Sequence, residues 1–346
     1  MTLNAKFVLS RSKLLEQYNK ITDIGTVSYS VKTNPIAAQI LEKETDCMFC
    51  IHTENELEYV KDTKRIWFLA ESWTLEQIEK LYSLGIRNFA IHNKNDLNKL
   101  IEFMEHVEEK INLLLRMKLR EHSIFTEKYF VFGFDSKTVN ELIPGLKNND
   151  KINKLGIHFH RKSENVGEWS LKYELSNALT KETLKAIDIM NIGGGLPIKY
   201  KNISDIAITN ILKKIQELKQ WLSEYNIEII TEPGRFLSGP AIELVTRIIN
   251  LDNKTITVNA SIYNTAMDTL IVPHRLLVKG EREHKSEDIK EYTIKGSTPC
   301  NLDMFRYSVF LPEMEIGDEI IFENAGAYNF ATLFCNLSKL ETEIID

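Results

Sequence analysis

The stretch RIWFLAESWTLEQIEKLYSLGIRNFAIHNKNDLNKLIEFMEHVEEKINLLLRMKL (65–119) contains three short apolar runs separated by two longer segments. In the longer segments, apolar residues recur at i, i+3, i+4 and i+7, which is the period of an amphipathic helix. Near-continuous apolar strands that alternate with helices are typical of parallel β/α units, because the helices cover the faces of the sheet. This stretch therefore predicts strand, helix, strand, helix and strand in succession.

The same alternation extends over the first 235 residues and predicts eight strands. They lie at 26–32, 47–52, 65–70, 87–92, 111–119, 154–160, 188–193 and 227–232. Eight such units close naturally into a (β/α)8 TIM barrel, whose chemistry lies at the C-terminal ends of the strands. A doubly wound open sheet is the alternative, but no G-x-G-x-x-G follows the first strand. The predicted fold class is therefore α/β, with a barrel as the first part.

The pattern changes after Arg235, where short β-type runs follow one another without a long amphipathic helix. This texture is typical of an all-β domain. The runs are KTITVNAS (254–261), LIVPHRLLV (270–278), KEYTIKGS (290–297), DEIIFENAG (318–326) and LSKLETEII (337–345). We predict a barrel over 10–238 and a β domain over 239–346, joined by an N-terminal strand within 1–9.

Composition limits the classes of partner. Of the 346 residues, 43% are hydrophobic and 27% are charged, and the formal net charge is −6. Binding to nucleic acid or to an anionic membrane needs a basic face, so this balance disfavours both. The sequence shows no run of about 18 apolar residues and no signal-peptide pattern. We expect a cytoplasmic protein that acts on a small molecule.

Cys47 and Cys50 form a C-x-x-C, a spacing found in redox and zinc sites. Cys300 and Cys335 do not supply a second pair with that spacing. Within the apolar run DCMFCIH, the two cysteines are more simply strand residues.

Residues with reactive or cofactor-binding potential recur at the predicted C-terminal strand ends, where a barrel keeps its active site. They are Lys32, His92, Arg116, His160, Gly193–Gly195, Glu232 and Arg235. His158 and His160 point to one side of their strand, and with His92 they could indicate a metal site. No carboxylate with ligand spacing lies nearby in the sequence, so we predict no metal.

Four motifs resemble those of fold-type III pyridoxal 5′-phosphate (PLP) decarboxylases, the ornithine, diaminopimelate and arginine decarboxylase group. SYSVKTNP (28–35) resembles the signature around the Schiff-base lysine, and NIGGGLP (191–197) resembles the phosphate loop. TEPGRFL (231–237) and ENAGAYNF (323–330) resemble the E-P-G-R and G-A-Y segments. The motifs occur in family order and span nearly the whole chain. The resemblance implies an alanine-racemase-like barrel followed by a β domain.

The resemblance also implies roles around the cofactor ring. Lys32 would attach PLP covalently, which requires its amine to be neutral. Glu232 would keep the pyridine nitrogen protonated, so that the ring accepts electrons as the carboxylate leaves. His160 would stack on the ring. Arg116 would brace the attachment point, although a role in a buried ion pair is equally plausible for Arg116. Glu56 matches a recurring family glutamate but could simply cap or face solvent.

The phosphate would be held from both parts of the chain. Gly193, Gly194 and Gly195 would present free backbone N–H groups at a helix start. Arg235 would lie near the phosphate as a fixed fork of donors. Tyr328 would add a hydrogen bond from the β domain.

The sequence departs from the family where relatives carry a C-D-S-x-D-type segment, which enters the partner subunit's site. Here the segment is GSTPCNLDMF (296–305), with Pro299 at the cysteine position and Cys300 one residue later. Proline cannot deliver a proton, so either Cys300 takes the catalytic role or another group does. Asp303 keeps its place as a candidate substrate contact. The resemblance implies a homodimer with shared active sites.

Substrate clues lie in NTAMDTLIVPHR (264–275). Val272 stands where diaminopimelate decarboxylases have an arginine for the distal carboxylate. The run D-x-L-x-x-P-x-R most resembles carboxynorspermidine decarboxylase, and so does GIHFHRKSE with Glu164. Asp268 and Glu164 are therefore candidate anchors for a distal amine.

We interpret the chain as a PLP-dependent carboxy-lyase for an amino acid with a basic or aminoalkyl side chain, such as carboxynorspermidine or ornithine. The alternatives are a diaminopimelate decarboxylase, an amino-acid racemase and a PLP-binding regulatory pseudoenzyme. Racemases of this fold usually place an arginine against the pyridine nitrogen, so Glu232 argues against that alternative.

Overall fold

The computed structural model describes residues 4–69, 71–119, 132–164, 166–167, 169–329 and 331–346. Residues 1–3 of the predicted N-terminal strand and Ala70 of the third predicted strand lie outside the described residues. The chain divides into two compact units. The barrel unit comprises Tyr18–Leu196 and Ala207–Gly234, and the β unit comprises Met1–Gln17, Pro197–Ile206 and Arg235–Asp346. The predicted barrel covered 10–238, whereas here 10–17, 197–206 and 235–238 belong to the second unit.

The barrel unit contains a closed barrel of eight parallel strands, and this confirms the predicted fold class. The strands are β2 (Thr26–Ser30), β3 (Met48–Ile51), β4 (Ile66–Leu69), β5 (Asn88–Ile91), β6 (Ile111–Arg116), β7 (Ile152–His158), β8 (Ile189–Asn191) and β9 (Glu228–Thr231). Each strand pairs with the next in sequence, and β9 pairs with β2 to close the ring. Each of the eight predicted strands corresponds to one of them.

Helices follow the strands, as the period-3.6 segments predict. They are α1 (Arg11–Thr22), α2 (Pro35–Glu44), α3 (Leu75–Ser83), α4 (Lys94–Met104), α5 (Ser136–Lys147), α6 (Leu171–Ala178), α7 (Lys181–Ala186) and α8 (Asp205–Ser223). Helix α2 has Pro35 in its first turn, and the Asn34 side chain accepts a hydrogen bond from the Ala37 N–H. This cap satisfies one of the N–H groups that a helix start leaves unpaired. None of the helices in the described ranges is both long and apolar enough to cross a membrane.

The barrel interior is filled by apolar side chains from successive strands. The cluster consists of Cys50, Trp67, Leu69, Ala90, Leu114, Ile189 and Ile230, with Met48 packed against it. Cys47 and Cys50 are both buried and free of disulfides. Burial raises the pKa of the Cys47 thiol to about 12. A thiol with that pKa is unreactive at neutral pH, which supports the strand interpretation over a redox one.

The β unit contains one eight-stranded sheet. Its strands are β1 (Lys6–Ser10), β10 (Ile242–Asp252), β11 (Thr255–Val258), β12 (Leu277–Val278), β13 (Lys290–Lys295), β14 (Met304–Leu311), β15 (Glu319–Glu323) and β16 (Thr342–Ile345). The order is β12-β15-β10-β11-β13-β14, and β1 pairs with β10 and β16. The unit also includes the first part of α1 and the short helices α9 (Arg235–Ala241), α10 (Ile262–Thr265) and α11 (Asp268–Ile271).

The β unit differs from the sequence prediction in three places. The run 270–278 was expected to be a strand, but its first residues end α11 and only Leu277–Val278 pair with β15. Pro273 lies inside the run and cannot donate a ladder hydrogen bond, which explains the break. Strands β10 and β14 were not predicted. Both alternate buried and accessible residues over part of their length, and this period-2 signal was available in the sequence.

Gly156 in β7 lies where two neighbouring strands approach closely. A Cβ built there would lie 2.3 Å from the Ile189 carbonyl oxygen and 2.6 Å from Leu114 Cδ2. We predict that Gly156→Ala lowers the free energy of unfolding by about 1–3 kcal/mol, because the barrel wall must shift to admit a methyl group. The matched control is Gly145→Ala in α5, where no heavy atom lies within 4 Å. Urea unfolding that shows equal stability for the two variants would contradict this packing.

Candidate active site

Lys32 lies in a 3₁₀ turn, Val31–Thr33, that directly follows β2. The side chain of Lys32 is exposed, and its Nζ is 3.4 Å from Nε2 of His52, which follows β3. A Cβ on Gly234 would lie 2.1 Å from Thr33 Oγ1, so this glycine lets the Lys32 turn pack against the segment after Glu232. The barrel therefore brings Lys32 and the E-P-G segment to the same end.

Glu232 follows β9 and is only 4% exposed. Asn191 Nδ2 donates to its Oε1 at 2.8 Å, and His158 Nε2 lies 3.2 Å from its Oε2. Burial by itself would raise the pKa of Glu232, but its interactions, above all that with His158, outweigh burial and hold the pKa below its usual range. The carboxylate is therefore ionised at neutral pH and oriented on both oxygens.

The glycine run after β8 closely approaches the neighbouring strand ends. Gly193 and Gly195 have φ of 63° and 88°, a region that favours glycine. A Cβ on Gly194 would lie 2.6 Å from the Glu232 carbonyl oxygen. The run therefore needs glycine for conformation at two positions and for space at the third.

One expectation for this run is wrong. The Gly193 N–H donates to Asn191 Oδ1 at 2.9 Å, and the Gly194 N–H donates to His160 Nδ1 at 3.2 Å, so neither is free. No helix starts here either, because the next helix, α8, begins only at Asp205. Phosphate binding by Gly193–Gly195 stays a prediction.

Asn191 is a site residue that the sequence analysis missed. It is fully buried, and its side-chain amide joins Gly193 to Glu232 through the two hydrogen bonds above. The available signal was a polar residue at the end of a buried strand, immediately before the glycines. Its role is to orient the carboxylate.

His160 lies beside Glu232, with Nδ1 4.0 Å from Oε2. Desolvation lowers the pKa of His160 to about 3, so the ring is neutral, although 37% of the side chain remains accessible. Arg116 ends β6, and its guanidinium lies 5.3 Å from the centre of the Phe132 ring. Burial lowers its pKa, an effect that Glu232 opposes.

His92 Nε2 lies 3.8 Å from Glu71 Oε1 instead of joining the other histidines.

His158, His160 and Glu232 offer ligand atoms within 4.8 Å of one another, which could suit a metal ion. The sequence showed no carboxylate close to the two histidines, but the fold brings Glu232 beside them. His158 and Asn191 already satisfy Glu232, and three such groups equally suit a ring with a protonated nitrogen. The predicted absence of a metal stays a prediction.

Within the β unit, Arg235 begins α9 and is buried. Its guanidinium forms an ion pair with Asp268 Oδ2 at 2.6 Å and donates to the Tyr200 hydroxyl at 2.9 Å. It also lies 5.2 Å from the centre of the Tyr328 ring. Burial raises the pKa of Asp268, and Arg235 opposes that effect. His274, stacked on Tyr200, lies 3.7 Å from the same Asp268 oxygen.

The loop that departs from the family is organised by Asp303, which is fully buried. Its carboxylate accepts hydrogen bonds from Ser261 Oγ, from Thr298 Oγ1 and from the N–H groups of Ile262 and Thr298. These bonds give Asp303 a structural role in its own chain, and a substrate contact stays untested.

Cys300 is partly exposed, and its Sγ lies 2.9 Å from the Tyr263 hydroxyl. The Tyr263 hydrogen bond lowers the pKa of the thiol. Cys300 is therefore available for proton transfer, whereas Pro299 is not.

The remaining candidate residues lie in turns of the barrel unit. Glu56 accepts hydrogen bonds from the His52 N–H and from Thr53 Oγ1, both at 3.3 Å. Glu164 lies beyond β7 with a positive φ of 59°.

Comparison with known proteins identifies the barrel. Residues 11–239 match the family model described as "Pyridoxal-dependent decarboxylase, pyridoxal binding domain". The chain belongs to this family. Its family is therefore that of PLP-dependent amino-acid decarboxylases, and its cofactor is PLP. The family assignment confirms the coarse recognition made from the motifs, whereas the nearer likeness to carboxynorspermidine decarboxylase is not shown.

The individual relatives of this chain share less than 25% sequence identity with it, and they are named for different activities. It is 22% identical over 321 residues to the diaminopimelate decarboxylase of Helicobacter pylori, with 87% of this chain and 78% of the relative covered. It is 23% identical over 337 residues to antizyme inhibitor 2 of Xenopus laevis, with coverage of 88% and 71%. The lysine/ornithine decarboxylase of Vibrio vulnificus complexed with putrescine shares the fold, with a TM-score of 0.78, 19% identity and coverage of 99% and 94%.

The ionised Glu232 generates a prediction. Glu232→Gln should keep the cofactor but lower kcat for decarboxylation by about 10²-fold or more, because a neutral amide cannot stabilise a protonated ring nitrogen. The control is Glu228→Gln at the other end of β9, an exposed side chain paired with Lys154. Carbon dioxide release and the visible absorbance of bound cofactor measure the two effects. Near-normal turnover of Glu232→Gln would show that the carboxylate is only structural.

Proposed function

We propose that this chain decarboxylates an amino acid with a basic or aminoalkyl side chain, such as carboxynorspermidine or ornithine, in polyamine-type metabolism. The observation that carries the proposal is the buried, ionised Glu232, oriented by Asn191 and His158 at the barrel end that also holds Lys32. An electron-accepting ring needs such a carboxylate to keep its nitrogen protonated.

The residues present fit PLP. A carboxylate that is 4% exposed needs a compensating cation, and its described partners are an amide and imidazoles. A protonated ring nitrogen would supply that charge. Lys32 would hold the cofactor covalently, the neutral His160 would lie against the ring, and Arg235 with Tyr328 would bind the phosphate.

When bound, the cofactor supplies a ring that accepts the negative charge left at Cα as carbon dioxide departs. The protein's contribution is to hold the reacting groups in the right positions and orientations. Glu232 would hold a proton at the ring nitrogen, and Asn191 would keep its carboxylate from rotating. Cys300, whose pKa the Tyr263 hydroxyl lowers, is the proposed proton donor to Cα.

Two alternatives remain from the same fold. A racemase is disfavoured because Glu232 is an ionised acid where an arginine is usual. A regulatory pseudoenzyme is the second candidate, and the likeness to antizyme inhibitor 2 is the observation that favours it. Lys32 and the ordered hydrogen bonds around Glu232 support catalysis over that reading.

The side-chain specificity proposal rests on the acidic candidates Asp268 and Glu164. Asp268 already pairs with Arg235 at 2.6 Å, so a substrate amine would have to compete with a buried guanidinium. We therefore propose that Asp268 mainly orients Arg235, and Glu164 stays the other candidate anchor for a distal amine. Val272 offers no charge for a distal carboxylate, which disfavours diaminopimelate as substrate.

We predict that purified protein releases carbon dioxide from an amine-ended substrate, such as carboxynorspermidine or ornithine, more efficiently than from diaminopimelate. A site that pairs with a charged end discriminates strongly, because its polar groups are otherwise left unpaired. Glu164→Gln should raise KM for the amine-ended substrate, whereas Asp268→Asn should weaken cofactor affinity. Efficient turnover of diaminopimelate alone would overturn the substrate proposal, and no turnover with cofactor bound would favour the pseudoenzyme.

We also propose a homodimer with shared active sites, in which the loop 296–303 completes the neighbour's site. Leu302, Tyr307 and Leu333 in the β unit are 58%, 74% and 91% exposed, and large exposed apolar side chains favour a subunit contact. Cys300 lies in the same loop as Leu302, so a contact through Leu302 would bring the thiol close to the partner.

Mixing two inactive variants tests this arrangement. Lys32→Ala and Cys300→Ala should each be inactive, and their mixture should recover about a quarter of wild-type activity, because random heterodimers carry one intact site. Cys335→Ala, an exposed cysteine, is the control for Cys300. Full activity of Cys300→Ala by itself would remove that residue from catalysis, and no recovery despite proven subunit exchange would place each site within one chain.

A further inference from the structure

His52 lies between Lys32 and Glu56, and none of the family motifs accounts for it. Its Nε2 is 3.4 Å from Lys32 Nζ and 3.7 Å from Cys50 Sγ. Its backbone N–H donates to Glu56 Oε2 at 3.3 Å, and its Nδ1 lies 3.6 Å from the same oxygen. The imidazole thus has the lysine amine on one side and a carboxylate on the other.

The other histidines at this barrel end are engaged elsewhere. His158 Nε2 faces Glu232, and His160 Nδ1 accepts the Gly194 N–H. His92 lies beside Glu71. Within the described ranges, His52 is the imidazole with a hydrogen-bonding contact to Lys32 Nζ.

Lys32 needs a proton acceptor to do its work. An ammonium group has no lone pair, so the amine must lose a proton before it bonds to the cofactor and must regain one when substrate displaces it. An acceptor within hydrogen-bond reach makes that transfer fast, and distances in a ligand-free site are often longer than in the working complex.

We propose that His52 is the proton-transfer partner of Lys32, with Glu56 as the positioning residue that holds the imidazole. In this step an N–H bond of the Lys32 ammonium breaks, and its electron pair stays on Nζ. The proton bonds to His52 Nε2, and the Glu56 carboxylate stabilises the resulting imidazolium. The reverse transfer restores the ammonium, so no oxidant or further reactant is needed.

The groups around His52 determine its charge before and after the transfer. Burial, first, and the Lys32 charge lower the pKa of His52, whereas Glu56 and Glu232 raise it in part. The ring is therefore neutral at pH 7 and able to accept a proton. Cys50, also in contact, stays a neutral thiol because burial raises its pKa. After the transfer, Lys32 is neutral and the His52 imidazolium no longer faces a positive charge. The Glu56 carboxylate then remains beside it as a counter-ion.

This inference rests on Lys32 being the attachment residue, which is part of the proposed function. The experiment therefore measures attachment rather than turnover. Full-length chain freed of cofactor is mixed with PLP, and visible absorbance follows the covalent attachment over a pH series. Borohydride reduction and mass spectrometry then identify the modified lysine.

His52→Asn should slow attachment to Lys32 at pH 7 by about 10²-fold, because asparagine fills similar space but cannot accept the proton. The slowing should diminish as pH rises, and added imidazole should restore part of the rate. Glu56→Gln, which keeps the ring, should show a smaller loss in the same direction. The control is His106→Asn, an exposed histidine after α4, which should match wild type.

The outcomes separate two failures. Label on a lysine other than Lys32 in the wild-type protein would overturn the attachment assignment and this inference with it. Label on Lys32 with wild-type rates and an unchanged pH profile in His52→Asn would overturn the role of His52 alone. If His52→Asn fails to fold, Glu56→Gln decides the question by the same measurement, since a wild-type rate there would overturn the proposed pair.

Discussion

The buried Glu232 carboxylate is the group on which the rest of the site depends. Removing a charge from water is costly unless hydrogen bonds and opposite charge replace the lost solvation. Here Asn191 donates a hydrogen bond to one Glu232 oxygen and His158 lies within hydrogen-bonding distance of the other, from the two strands that precede β9 around the barrel. His158 pairs in register with Asn191, and Asn191 pairs with Ile230, two residues before Glu232. The closed barrel therefore sets the distances that keep the acid ionised.

This arrangement explains why the glycine run cannot vary freely. The Glu232 N–H donates to the Gly193 carbonyl oxygen, so the run and the carboxylate share a backbone contact. A side chain at Gly194 would collide with the Glu232 carbonyl, and one at Gly193 would collide with Phe159. The glycines thus serve the packing of three strand ends. Two of their N–H groups donate to the Asn191 and His160 side chains, so hydrogen bonds as well as packing hold the run to its neighbours.

The departures from the family pattern lie in the β unit. In the structure, the residues at and near these departures differ in their contacts and in their exposure. Asp303 holds its loop together by accepting four hydrogen bonds. Asp268, an acid that suggested substrate recognition, forms a buried ion pair with Arg235. Cys300, by contrast, keeps an accessible thiol.

By itself, the sequence determined the barrel fold and the location of Lys32 and Glu232 at the C-terminal ends of its strands. Apolar runs and helical periodicity are local properties, carried by residues within a few positions of each other, and the same holds for motifs such as SVKTNP and EPGR. Only tertiary structure decided what each side chain contacts. Asn191 and Glu232 are 41 residues apart and Lys32 and His52 are 20 apart. Such contacts depend on strand register and side-chain direction, which no local pattern records. For that reason the sequence analysis did not identify Asn191, His52 or the ion pair between Asp268 and Arg235.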